Sequence, residues 1–407
     1  MSGQFSSNVD TLIADFASEL AKEATISSGN FTQDYEKLTS SFGIIPCPFV
    51  KMSEDSTCCK VLNCEIDLSN WRAMLLAVGS VNSAIKEIVI HGCALTLQHI
   101  QDLEMTLEKV GTIHTLKMDF TTILAAKSSI DIEGEGKGEE EGVEEVDARV
   151  RVNPRPDASE FWTPVLSGSI MVPYLSLRGC RIDDECIKKL SGVIAENITL
   201  RALNLSNNPL SDEGAAELLK ILPLMNSIEH LVMKQCQISG ESIPSLAQVL
   251  TGRAVSDEDD SVLKEVVKKV AEKNKSLKDL NKKRKGKFPE IAELHAASER
   301  SINIGDSKLL VHRSLAVIDL SYCPFITDRG RLQVLVNELA EKVPMIADAG
   351  VTACGTEIRL LGNGEIDGFS PVLAEYEAGE QINGKIVLKL PVKIDSAELE
   401  HVNTAGD

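Results

Sequence analysis

Four cysteines crowd the early part of this 407-residue chain, at Cys47, Cys58, Cys59 and Cys64. Thiolates are good zinc ligands, but a zinc site needs paired spacings such as C-x2-C with a matching second pair. Here the gaps are irregular and no histidine is near, so no metal and no other cofactor is expected. Gly362, Gly364 and Gly368 form a glycine-rich turn without the strand–glycine–helix context that a phosphate loop requires. The glycines between 134 and 142 sit among glutamates, the wrong charge for a phosphate. No G-x-S-x-G, H-E-x-x-H or Cys/His arrangement is present, and His91, His114 and His230 are scattered. These residues predict no enzyme.

What remains is a set of cations and contact residues: Lys117, Tyr174, Arg178, Arg201, His230, Val232 and Lys234. Their relation follows from the segment Val172 to Leu250, which contains three lines of sequence beginning at Val172, Leu200 and Ile228, 28 residues apart. Counting each first residue as position one, apolar residues fall at positions one, four, six and eleven. They are Val172, Leu175, Leu177 and Ile182, then Leu200, Leu203, Leu205 and Leu210, then Ile228, Leu231, Met233 and Ile238. Position nine holds Cys180, Asn208 or Cys236. A fixed period joining a strand pattern to a helical one is the mark of a leucine-rich repeat. Further lines begin at Ile85, Ile113 and Leu315, and Lys60 to Ala77 reads as a degenerate first one. One strand–helix unit cannot bury its own apolar face, so neighbours must stack. Side chains alternate along a strand, so positions five and seven lie on the face opposite positions four and six. Position seven then presents His91, Asp119, Arg178, Ser206, Lys234 and Ser321, and position five Val89, Lys117, Ser176, Asn204, Val232 and Asp319. The cations therefore gather on one sheet face, and Arg178 is the expected anchor for an acidic partner segment.

The long period, the Cys/Asn alternation at position nine and the step Asp212-Glu213-Gly214 resemble ribonuclease-inhibitor-type leucine-rich repeats. That resemblance implies an α/β fold: a horseshoe-shaped solenoid of strand–turn–helix units with a parallel sheet on its concave side. The lead FTQDYEKLTSSFGIIP, the short repeat array and the lysine-rich insert before the last repeat are similar to leucine-rich-repeat proteins of cilia and flagella. The implied function is a non-enzymatic scaffold holding a protein partner on the concave face. GTPase-activating proteins for the small GTPase Ran use the same repeat type, which makes regulation of a small GTPase the alternative. A cytosolic ligand sensor would normally carry a nucleotide-binding module, and no such motif occurs here.

Charge and composition narrow the partners. The chain has 61 acidic and 42 basic residues and a net charge of −19, which argues against nucleic acid or an anionic membrane. No basic, then apolar leader and no run of about 18 apolar residues is present. Cys93, Cys180, Cys236 and Cys323 take the repeat turn position, too regular for a disulfide framework. A reduced, cytoplasmic protein is expected, with cytoskeleton or cilium as the finer address.

The expected organisation is a helical cap over 1–59, repeats over 60–130 and an acidic insert over 131–160. Repeats resume over 161–252, a charged basic insert, helical or disordered and helix-prone from Val262 to Lys287, follows over 253–308, then repeats over 309–364 and a cap or tail over 365–407. The acidic insert, rich in glutamate and glycine, lacks the apolar residues needed for order. The basic insert ends in Lys282, Lys283, Arg284 and Lys285 and carries a partial apolar stripe at Val262, Val266, Val270, Leu277 and Leu280. It reads first as a solvated loop, then as a binding element for an acidic polymer such as tubulin tails, then as a nuclear address. Oligomeric state is not encoded in any of these features.

Overall fold

The structure, a computed structural model, describes residues 12, 16–21, 28–80, 85–111, 113–124, 157–167, 171–225, 227–284, 292–294, 301–304, 306–312, 314–323, 338, 356–359 and 386–389. The acidic stretch 131–156, Gly362, Gly364, Gly368 and Lys285 lie outside these residues.

Short strands alternate with helices along the chain. The N-terminal part contributes α1 (Phe16–Ala21), α2 (Phe31–Phe42), β1 (Val50–Met52), β2 (Cys58–Leu62) and α3 (Leu68–Ser80). Next come β3 (Glu87–His91), β4 (Ala94–Leu95), α4 (Leu97–Val110), β5 (Thr115–Lys117), β6 (Thr122–Ile123) and α5 (Ala158–Leu166). The central part supplies β7 (Tyr174–Ser176), α6 (Asp184–Ala195), β8 (Ala202–Asn204), α7 (Asp212–Ile221), β9 (His230–Val232) and α8 (Ile243–Thr251). Then follow β10 (Arg253–Ala254), α9 (Asp257–Arg284), β11 (Ser301–Ile304), β12 (Ser307–Leu310), β13 (Val317–Asp319), β14 (Thr356–Arg359) and β15 (Ile386–Lys389).

The main sheet runs β1-β2-β3-β5-β7-β8-β9-β13-β14-β15. Only the β1–β2 pair is antiparallel; every other neighbour pair is parallel. The register keeps the repeat phase: position four aligns in one column, Cys59, Ile88, Leu116, Leu175, Leu203, Leu231, Ile318, Ile358 and Leu388. From Cys59 to Ile358 every member of that column is buried, as are Val61, Ile90, Met118, Leu177, Leu205, Met233 and Leu320 at position six. Burying a Leu or Ile side chain stabilises by roughly 1.5–3 kcal/mol, so these two columns form the main apolar spine. The architecture is a mixed α/β stack compatible with a leucine-rich-repeat solenoid.

Position nine closes each turn. Asn208 Nδ2 donates to Leu177 O at 2.9 Å and to Leu205 O at 2.8 Å, while its Oδ1 accepts from Ile182 N at 3.0 Å. Thiols do half of this job: Cys93 donates to Val61 O at 3.4 Å, Cys180 to Met118 O at 2.9 Å, and Cys323 to Met233 O at 3.1 Å. Burial pushes the Cys180 and Cys236 thiols up to about 12 and Cys323 to about 11. They stay protonated, which suits a donor and not a nucleophile.

The Asp-Glu-Gly step also has a physical cause. Asp184, in the first turn of α6, accepts from Ser211 N at 2.9 Å and Ser211 Oγ at 2.5 Å, tying the N-cap of α7 to the preceding repeat. Gly214 N reaches the same carboxylate at 3.1 Å, and a Cβ there would lie 2.3 Å from Asp184 Oδ1, hence glycine. Asp212 repeats the arrangement on Ser239, with 2.8 Å to N and 2.5 Å to Oγ. Orphan helix donors are thus satisfied across repeats and not only within one.

The N-terminal part docks through charge as well as packing. Arg72 on α3 grips Asp102 on α4 bidentately, Nε to Oδ2 at 2.6 Å and Nη2 to Oδ1 at 3.2 Å. Its Nη1 donates to Leu12 O at 3.1 Å, and the guanidinium stacks over the Phe16 ring at 5.3 Å. Nearby, His99 is buried, its Nδ1 within 3.2 Å of Thr96 N and its Nε2 within 3.1 Å of Ile66 O. That network fits a neutral ring with the proton on Nε2. Burial lowers the His99 pKa below 6.5, with the Ile66 carbonyl opposing, and His114 is lowered in the same direction by burial and by Lys86. Because the folded pKa lies below the unfolded one, stability is complete above pH about 6.5 and falls as the pH drops through that value. Thermal midpoints between pH 8 and pH 5 should decline more for the wild type than for His99→Gln; parallel curves would refute the assignment.

The helix-prone stretch of the basic insert forms one long helix, α9, over residues 257–284, joined to a three-stranded antiparallel sheet β10-β12-β11 and docked where a solvated, flexible segment was the first reading. Val266 and Val270 pack on Ile198 with Val262 and Leu294, so the apolar stripe is buried. Arg253 clamps Asp259 at 2.6 and 2.7 Å, and Ser256 caps the helix by accepting from Asp259 N at 3.2 Å. Burial opposes ionisation of Asp259, but Arg253 and Ser256 outweigh it and hold the carboxyl at about 2. Lys269 reaches Glu196 on the neck after α6. The stripe finds a partner, Ile198, that lies outside its own sequence neighbourhood, which is why the docking of the helix was not legible from the insert alone.

Candidate functional site

Positions three, five and seven of the strands form the sheet face away from the helices. Tyr174 and Arg178 are exposed there, and Lys117, His230, Val232 and Lys234 are half-buried. The in-register pairs Val89↔Lys117↔Ser176 and Asn204↔Val232↔Asp319 place position five in one row. Tyr174, Ala202 and His230 line up beside it at position three. Six of the seven candidate residues therefore share one face, and the exposed Arg201 stands at position two, directly before Ala202 of that row.

That surface is less basic than a sequence count implies. Lys117 pairs with Glu87 at 2.6 Å, Arg201 with Glu229 at 3.6 Å, and Lys234 with the buried Asp319 at 2.9 Å. Among the described residues no carboxylate lies within 4 Å of the Arg178 side chain. Asp119, its neighbour, is engaged by Ser176 Oγ at 2.5 Å and by the Arg178 backbone N–H at 3.2 Å.

The structure adds a column that the periodicity did not single out. Among the described residues position eight is left-handed in each repeat: Asn63 (φ 52°), Gly92 (62°), Phe120 (55°), Gly179 (65°), Asn207 (59°), Gln235 (56°) and Tyr322 (60°). The conformation aims each N–H at the position-seven carbonyl of the next repeat, as in Phe120 N to Arg178 O at 2.6 Å and Gly179 N to Ser206 O at 2.9 Å. Glycine and asparagine tolerate this region; a phenylalanine or tyrosine is strained in it by about 1–2 kcal/mol. Phe120 and Tyr322 nevertheless occupy it and are 39% and 60% exposed. Gly and Asn at 63, 92, 179 and 207 were the available signal, and the aromatic exceptions were the part worth reading.

The column and the cations meet at Arg178. Its guanidinium stacks on the Phe120 ring at 5.4 Å, and the ring of His91 meets Phe120 edge-on at 5.3 Å. With the Asn207 amide turned to satisfy both neighbours, its oxygen accepts from Arg178 Nε and Nη2 at 2.9 Å each and its nitrogen donates to Gln235 at 2.5 Å. A Cβ on Gly179 would fall 2.4 Å from the Phe120 ring, so glycine is needed for the ring to lie there.

The expected basic-insert residues stand elsewhere. Lys282 is exposed near the end of α9 and pairs with Asp279 at 3.6 Å; Lys283 and Arg284 follow in the same helix. Among the described residues no group of three or more His, Cys, Asp or Glu side chains is placed to hold a metal ion. No described helix is long and apolar enough to cross a membrane.

Comparison with known proteins gives a Leucine Rich repeat family match over residues 196–219, the segment around β8 and α7. NACHT, LRR and PYD domains-containing protein 4B of Mus musculus is 38% identical over 81 residues, 20% of this chain and 9% of that protein. Protein 4C of the same series, also from Mus musculus, is 36% identical over 77 residues, 19% of this chain and 8% of that protein. The chain thus aligns with less than a tenth of either relative's length. Together with the 28-residue repeats, these likenesses support a leucine-rich-repeat protein. Such repeats generally mediate protein–protein interaction, and proteins built on them are generally non-enzymatic.

Proposed function

We propose that this chain is a non-enzymatic interaction scaffold whose open sheet face, the concave side of a ribonuclease-inhibitor-type horseshoe, holds a protein partner. The observation that supports the reading is the common face of Lys117, Tyr174, Arg178, His230, Val232 and Lys234, contributed by consecutive repeats in one register, with Arg201 directly before the strand between them. A rigid sheet presents these groups without a large ordering cost on binding. Because three of the cations already face carboxylates, the surface favours a partner with mixed polar and apolar contacts over a purely acidic tail. Cytoplasmic residence with a cytoskeletal or ciliary partner is the finer form of this proposal. It draws on the exposed lysines Lys264, Lys268, Lys275 and Lys282 of α9, which would face an acidic polymer such as tubulin.

The test is charge reversal at exposed positions with a purified partner. Arg178→Glu combined with Arg201→Glu should weaken binding at least tenfold while leaving the thermal midpoint within a few degrees. Lys234 is a poorer choice, since reversing it sets a second carboxylate against the buried Asp319. Unchanged affinity in the double variant would sink the open-face reading. Accelerated GTP hydrolysis by a Ran-like GTPase would replace it with the regulatory alternative.

A further inference from the structure

We infer that Phe120, Arg178 and Asn207 form a preorganised carboxylate-docking site, built for an extended partner segment that presents one Asp or Glu side chain beside an apolar residue. The inference rests on the open-face reading above and specifies its anchor. Arg178 is the cation of that face with no carboxylate within 4 Å among the described residues, while Lys117, Arg201 and Lys234 each have one. Its position is nonetheless fixed from two sides. The Phe120 ring lies under the guanidinium at 5.4 Å, and the Asn207 oxygen takes Nε and Nη2 at 2.9 Å each. Those two bonds occupy the side edge of the fork and leave the Nη1–Nη2 end edge pointing away from Asn207. An end-on carboxylate fits that edge with two parallel N–H···O bonds.

Three further features fit a built site and not a chance surface arginine. Phe120 holds a left-handed backbone (φ 55°) at a position where Gly92, Gly179, Asn63 and Asn207 show what the geometry prefers. Strain of this kind persists where surrounding structure enforces it, and it clusters at ligand sites. Gly179 leaves room for the ring, since any Cβ would be 2.4 Å from it. His91 and Gln235 extend the support to the flanking repeats, through an edge-on ring contact at 5.3 Å and a hydrogen bond from the Asn207 amide nitrogen to Gln235 Oε1 at 2.5 Å. The half-exposed Phe120 edge and Tyr174, 42% exposed, supply the apolar shoulder for the neighbouring partner residue. The chemistry thus selects a carboxylate next to an apolar side chain, and a polyacidic tract gains nothing beyond its first charge because the adjacent cations are neutralised.

The experiment is affinity selection of a random linear dodecapeptide library on the full chain, followed by titration of the enriched synthetic peptides. Enriched peptides should share one Asp or Glu adjacent to an aliphatic or aromatic residue. Replacing that Asp or Glu by its amide should cost at least tenfold in affinity, Arg178→Gln should cost the same, and the two changes together should cost no more than either alone. Arg178→Lys should recover less than half of the logarithmic loss, because a point charge cannot form the fork. Phe120→Gly should also weaken binding at least threefold while the thermal midpoint holds or rises, a result that misfolding would not produce. The site is overturned if no peptide is enriched, if enriched peptides lack a carboxylate, or if Arg178→Gln binds them as well as the wild type. In that last case, loss of binding in Arg201→Glu would keep the open-face reading and discard only the subsite. Peptides indifferent to both substitutions would discard both.

Discussion

Asp102→Ala is expected to cost about 3–5 kcal/mol of folding stability, the range for removing one member of a buried ion pair. Asp102 is fully buried and receives two bonds from Arg72, 2.6 and 3.2 Å, and one from Gln98 at 2.9 Å. Without it the Arg72 guanidinium, which also donates to the Leu12 carbonyl and stacks on the Phe16 ring, stays buried and loses its bidentate carboxylate. The loss should therefore appear in the docking of the N-terminal helices before it appears in the central repeats. Hydrogen exchange should show α1 and α3 losing protection first. Replacing both partners, Arg72→Met with Asp102→Leu, should recover most of the stability, since neither an unpaired charge nor a cavity remains. Equal destabilisation by the single and double variants would show that the ion pair is not the reason Asp102 matters.

Asn208→Ala should cost about 3 kcal/mol, because it leaves the buried Leu177 carbonyl and Ile182 N–H without partners and removes a third bond to Leu205. Asn208→Cys should cost about half as much in chemical denaturation. A thiol can donate to the preceding repeat's carbonyl, as Cys180 and Cys323 do, but it accepts poorly from the Ile182 N–H. If alanine and cysteine behaved alike, the position-nine side chain would be filling space and not closing the turn. Both outcomes are readable in one urea series, with the slope of the transition checking that cooperativity is unchanged.

The repeat phase was legible because burial in stacked units forces one residue type onto one position every 28 residues. Leu175, Leu203 and Leu231 declare their column before any coordinates are known, and Cys180 and Asn208 declare the turn. What escaped was information carried by single residues or by partners outside the repeat. Phe120 reads as an ordinary strand-end aromatic until its backbone is seen to be left-handed, a state that sequence marks only through the glycines and asparagines around it. The pairing of Lys117 with Glu87 and Arg201 with Glu229 was hidden because charges were counted by position within a repeat. Their partners sit in the adjacent repeat. The pairing of Arg72 with Asp102, 30 residues further along the chain, leaves no mark in the local pattern of its helix. The α9 stripe likewise found its mate in Ile198, about 70 residues back along the chain, so local pattern gave the helix but not its docking.

The decisive measurement is cross-linking mass spectrometry on the tagged chain purified gently from its own cells. An open-face scaffold predicts that Lys117 and Lys234, which lie half-buried on that face, link to one stoichiometric protein partner. Links confined to α9, from Lys264 to Lys282, would move the binding surface to the helix, and recovery of the chain without any partner would contradict the scaffold outright.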